Sequence, residues 1–212
     1  MVTKPDQSEA ERRASLMQAI GNQYGRLQSA RGGTIAESSS RSSLYLTTLT
    51  GAVVALSFVA QASRFGQAFF VFALALLPVL FFLGTVTYYR LVQTGVEDVI
   101  YARAMSKIQK FYSEIDRDYA ELFNEMGADQ VGLNKFGLFR LRWQQFIGAA
   151  AMVAMVTAIV GGVFIALIVD YLASPGAIVS IAIGAAASLL IGVVFFRHQW
   201  RIIMHVAKAL PM

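Results

Sequence analysis

The chain has 212 residues, 56% of them hydrophobic and 15% charged, with a formal net charge of +5 and no cysteine. This apolar content points to a membrane protein, and the missing thiols exclude disulfides, thiolate nucleophiles and cysteine-based metal sites. The positive charge does not imply a nucleic-acid partner, because no recognisable nucleic-acid module accompanies it.

Residues 1–42 are polar and lack a continuous apolar core, so they read as a cytosolic tail and not as a cleaved signal. Within "SEAERRASLMQAIGNQYGRLQSAR", Ser8 and Glu11 stand at capping-box spacing and Leu16, Ile20, Tyr24 and Leu27 form an apolar stripe. The pattern predicts an amphipathic helix. The Gly and Ser run "GGTIAESSSRSS" that follows reads as a flexible link to the membrane.

Residues 43–89 form a first transmembrane hairpin. Ser43 to Ser63 and Ala68 to Tyr89 are each close to the roughly 20 residues that cross a hydrocarbon core. The short connector "QASRFGQ" suits an antiparallel turn. The first span carries Thr47, Gly51 and, on one helical face, Thr50, Ser57 and Gln61, which are the candidate pore-facing residues. The competing reading is that these hydroxyls bond back to their own carbonyls. Pro78 is expected to kink the second span.

Residues 90–142 read as cytosolic. Val96, Ile100, Ala104, Ile108, Phe111, Ile115, Tyr119, Leu122 and Met126 recur every three or four positions, predicting a long amphipathic helix of roughly 45 Å. Glu97 and Asp98 would open it, where negative charge suits the helix dipole. Such a stripe needs a partner: the amino-terminal helix, a second copy or another protein. Ile100, Ile108, Phe111, Ile115 and Tyr119 are its candidate contact residues. Basic Arg103, Lys107 and Lys110 precede acidic Asp116, Asp118, Glu121 and Glu125, an order that suits a staggered or antiparallel neighbour. Gly127, Gly132 and Gly137 then break the chain before "KFGLFRLRW", which suits re-entry at the membrane surface.

Residues 143–196 form the second hairpin, with spans at Phe146 to Leu172 and Ala177 to Phe196 around a Ser174-Pro175-Gly176 turn. Small residues recur every fourth position: Ala150, Ala154, Ala158, Gly162 and Ala166 on one span, Ser180, Gly184, Ser188 and Gly192 on the other. In lipid, close packing depends on such residues, so the ribbons are expected to pack together, or one of them against a neighbouring subunit. Asp170 is expected to cap the hairpin or sit at a pore mouth. The tail 197–212 is basic and amphipathic, with Arg197, Arg201 and Lys208 as candidate contacts to lipid head groups. The alternative is that the fourth span continues into it. His198 and His205 read as interfacial side chains.

Lys and Arg set the orientation. Six lie before the first span, eight between the hairpins and three after the last, leaving Arg64 alone on the other side. Both termini are therefore expected in the cytoplasm and the hairpin tips outside, in a cell (inner) membrane. Tyr45, Tyr88, Tyr89, Trp143, Tyr171 and Trp200 fall near span ends, where amphipathic rings favour the interface.

The block "YYRLVQTGVEDVIYARAMSKIQKFYSEI", with Arg90, Leu91, Glu97, Asp98, Tyr101, Arg103, Ala104, Lys110, Phe111 and Tyr112, resembles one in uncharacterised small bacterial multi-pass membrane proteins. The layout of two spans and a cytosolic helix is similar to membrane effector modules of bacterial conflict and nucleotide-signalling systems, from which the second hairpin departs. The expected fold is all-α, polytopic, with four transmembrane helices in two hairpins plus a cytosolic helical layer. No motif assigns a catalytic, cofactor-binding or metal-binding residue, and no enzyme activity is expected. Two functions suit the pattern: an oligomeric inner-membrane effector or channel controlled by its cytosolic helices, or a membrane-anchored scaffold that docks a cytosolic protein. The expected partners are membrane lipids, further copies of the chain and such a protein.

Overall fold

The structure is a computed structural model and describes residues 5–115, 148–174 and 176–209. Among these residues there are four helices and no strand: α1 (Pro5–Ser63), α2 (Gln67–Ile115), α3 (Ala149–Ala173) and α4 (Ala177–Ala209). Each holds a stretch long and apolar enough to cross a membrane. The expected apolar spans end close to the observed turns, because hydropathy and turn residues change together there.

The elements are longer than the sequence suggests. The amino-terminal helix, the Gly and Ser run and the first span are a single helix, so the expected flexible link is helical throughout. The hydroxyls that favour loops elsewhere bond here to carbonyls of their own helix: Thr34 Oγ1 donates to Arg31 O and Ser42 Oγ to Ser38 O, both at 2.8 Å. Thr34 and Ser42 are also buried, and packing of this kind overrides weak local propensity. Likewise the second span does not stop near Tyr89. It continues through Pro78 and Gly95 into the stripe, with Leu91, Val92 and Thr94 buried on the way. Glu97 and Asp98 consequently lie in mid-helix and open nothing. The fourth span runs on unbroken into the carboxyl tail as α4.

The turns are tight. After Ser63, Arg64 and Phe65 adopt left-handed φ values of 49° and 57°, a strain of about 1 kcal/mol or more per residue. Offsetting it, Phe65 N–H donates to Ala60 O at 3.0 Å, Gly66 N–H to Ser63 O at 2.9 Å, and the Phe65 ring meets Phe69 edge-on at 5.4 Å. Ser174 ends α3 in the left-handed region, its N–H donating to Asp170 O at 3.0 Å, and Gly176 follows at φ +102°. Only glycine adopts that φ without strain.

Two compact units divide the chain: Met1–Ala36 with Glu97–Leu141, and Glu37–Val96 with Arg142–Met212. In the second, one apolar cluster joins Tyr45, Tyr88, Leu91, Val92, Val153, Ala154 and Phe195, and another joins Ala52, Ala73, Leu77, Leu80 and Val160. In the first, α1 and α2 residues meet in antiparallel order, Met17 with Tyr112, Tyr24 with Gln109 and Arg31 with Asp98.

Candidate functional site

The two small-residue ribbons face each other. A side chain added at Gly162 would collide with the Ser188 hydroxyl and the Gly184 carbonyl, and one at Gly184 would lie 2.7 Å from both Ala166 Cβ and Gly162 O. A methyl on Gly192 would meet Ala158 Cβ at 3.9 Å. The backbones of α3 and α4 therefore touch at Gly162 and Gly184, the packing that small residues at four-residue spacing permit. Ala154 is buried and Ala150 packs against the cluster of Tyr45, Tyr88 and Phe195. Beside the turn between α3 and α4, Ser180 Oγ donates to Asp170 Oδ1 at 3.1 Å, which ties the start of α4 to the end of α3.

Thr50, Ser57 and Gln61 lie on the exposed side of α1, not within the apolar clusters. Thr50 Oγ1 donates to Leu46 O and Ser57 Oγ to Val53 O, both at 2.8 Å. Each hydroxyl is thus satisfied within its helix, and the face remains available to a neighbour. Gly51 lies on the same exposed surface, with nothing within 4 Å of where a side chain would start.

Sequence reasoning missed the polar joints inside the bundle. The Tyr45 and Thr157 hydroxyls meet at 3.1 Å, both side chains buried, beside Gly84. Tyr88 Oη donates to Phe195 O at 2.6 Å and its ring lies 4.6 Å from that of Phe195. Tyr45 and Tyr88 are only 1% and 0% exposed, so they are core residues and not part of an interfacial aromatic belt. Their span-end position suggested the belt, and the partners 112 and 107 residues away carried no local signal. His198 is half-buried with its ring 4.9 Å from Tyr89, and its Nδ1 is enclosed without a hydrogen-bond partner.

Charge is paired on the polar stretches of α1 and α2. Arg31 Nε bonds Asp98 Oδ1 at 2.7 Å. Glu37 Oε1 accepts from Arg41 Nε at 2.8 Å and from Arg90 Nε at 2.9 Å, and Arg90 Nη1 also donates to Gln93 Oε1 at 3.2 Å. Hydrogen bonds from Arg90 and then Arg41 hold the Glu37 carboxyl below the usual carboxylate range.

In the amino-terminal unit, Tyr112 Oη donates to Met17 O at 3.3 Å and Gln109 Nε2 to Tyr24 Oη at 3.2 Å. Ile108 is half-buried, while Ile100 and Phe111 are each 44% exposed and Leu16 is 53% exposed. The stripe is therefore covered in part only. The Ile115 side chain and Tyr119 lie outside the described residues, as do the segment "KFGLFRLRW" and the side chain of Lys208. Arg197 and Arg201 are exposed on α4. No family model, no curated protein and no solved structure matches this chain.

Proposed function

We propose that the protein is an oligomeric inner-membrane effector or channel, with both termini in the cytoplasm, in which copies meet along α1 and the helices around Ile100 and Phe111 control assembly or opening. The observation that carries this reading is the outward placement of Thr50, Ser57 and Gln61. Apolar side chains and hydroxyls already bonded to protein atoms fill the described interior between the spans, so a polar path has its natural place between copies, where these residues would line it. A polar helix face in a bilayer is also better covered by protein than by acyl chains. The four spans, the cytosolic helices and the basic bias of the connecting segments suit the resemblance to bacterial membrane effector modules.

The test is the particle mass in nanodiscs together with ion or dye release from liposomes. Discrete multimers that leak are expected, and replacing Ser57 and Gln61 together by Leu should lower leakage at least several-fold while leaving the chain folded. A strictly monomeric, non-leaking protein, with and without its native partner, would overturn the reading. A scaffold function is the second reading, favoured by the exposed Leu16, Ile100 and Phe111. Under it, the Ile100→Ser/Phe111→Ser variant loses a cytosolic partner while the parent retains it.

A further inference from the structure

We propose that Arg41 and Arg90, held side by side by Glu37, form a binding site for the phosphate group of an anionic membrane lipid. The inference rests on the four apolar helices crossing a bilayer and does not depend on whether the protein conducts. Arg41 lies two positions before the span that begins at Ser43, and Arg90 directly follows the span that ends at Tyr89. The turn at Arg64–Gly66 makes these spans antiparallel, so both arginines belong to the same membrane boundary.

At such a boundary a lone arginine extends towards water and wanders. Here both Nε atoms donate to the same oxygen of Glu37, at 2.8 and 2.9 Å, and Arg90 is further tied to Gln93, contacts that restrain the two side chains. One carboxylate between two guanidinium groups leaves a local excess of positive charge. Each guanidinium carries more N–H donors than these bonds use, and the side chains are 45% and 40% exposed. The remaining donors are therefore within reach of an outside acceptor, and a phosphate matches the planar fork of arginine. Because Glu37 already fixes both side chains, binding sacrifices little of their rotamer freedom. Towards the apolar side, Leu44 lies one turn from Arg41, and Val86 and Phe82 lie one and two turns from Arg90. All three are exposed, at 66%, 47% and 70%, and offer an acyl chain an apolar surface beside its head group.

The test is native mass spectrometry of the full-length protein in an uncharged detergent, titrated with phosphatidylglycerol, phosphatidylcholine or inorganic phosphate. Preferential retention of phosphatidylglycerol is expected. Arg41→Gln/Arg90→Gln should lower that retention about tenfold, given the strength of charged hydrogen bonds. Arg12→Gln/Arg13→Gln removes the same net charge elsewhere and should leave it unchanged. Glu37→Gln is the decisive variant: it raises the net charge, so simple attraction predicts more lipid, whereas loss of the tether predicts less. Should the double variant fail to fold, Arg90→Lys keeps the charge but removes the fork and is expected to bind several-fold more weakly at an unchanged melting temperature. Undiminished retention in Arg41→Gln/Arg90→Gln or Arg90→Lys, increased retention in Glu37→Gln, or displacement of lipid by equimolar inorganic phosphate would each overturn the proposal.

Discussion

Gly84 is a point where three helices are held at a distance set by two hydroxyls. A methyl there would lie 2.6 Å from Tyr45 Oη and 2.9 Å from Thr157 Cγ2, so Gly84→Ala is expected to destabilise the bundle by about 1–3 kcal/mol. Thr157→Ala removes only one hydrogen bond from Tyr45, worth about 1 kcal/mol or less between membrane helices. The two changes should not add: with Thr157 already shortened, Gly84→Ala should cost markedly less than in the parent. Thermal or denaturant unfolding of the four corners of this cycle measures the coupling, and strict additivity would mean that the crowding at Gly84 is relieved elsewhere. Glu37 has a comparable position on the polar stretch of α1, where one carboxylate oxygen serves two arginines. Nothing in the local sequence marks it out, since Arg90 is 53 positions away.

At the level of the helix, the Gly and Ser run of α1 is where reading by local propensity fails. Gly, Ser and Thr are weak helix formers, and eight of them within residues 32–43 would leave an isolated peptide unfolded, yet α1 passes through without interruption. Buried Thr34 and Ser42, the i,i+4 pair of Glu37 with Arg41, and the bond from Arg90 supply what propensity does not. Continuity leads to a specific expectation. Gly32 and Gly33 are exposed with nothing within 4 Å of a new side chain, so Gly32→Ala/Gly33→Ala should stabilise the protein by about 1 kcal/mol or more and raise its melting temperature. A flexible link would show no such rise in thermal unfolding followed by circular dichroism.

For the molecule as a whole, the sequence is informative where the physics is local or periodic. Four apolar stretches near membrane length, the turns at Arg64–Gly66 and Ser174–Gly176, and the four-residue spacing of Gly162 and Gly184 with their neighbours were all legible from it. Where a side chain's role depends on a distant partner, the sequence is silent. Tyr45 and Tyr88 looked like interfacial aromatics because their partners, Thr157 and Phe195, lie on α3 and α4, more than 100 positions away. Asp98 looked like a helix start because Arg31 lies 67 positions away. The candidate pore face was legible as a polar stripe, but only the three-dimensional arrangement puts Thr50, Ser57 and Gln61 on the outside of the chain.

Among the described glycines two groups stand out, and their difference would register in the mutational tolerance of living cells. At Gly84, Gly162 and Gly184 every substitution meets an atom of the same chain, whereas at Gly25, Gly32, Gly33, Gly51 and Gly95 it meets none within 4 Å. In a scan of all substitutions scored for function, the first group should be depleted whatever surrounds the protein. The second group should tolerate alanine and larger side chains unless another molecule occupies the space. Depletion at Gly51 with tolerance at Gly25 and Gly95 would therefore locate a neighbouring copy beside the middle of α1, without purification of any complex.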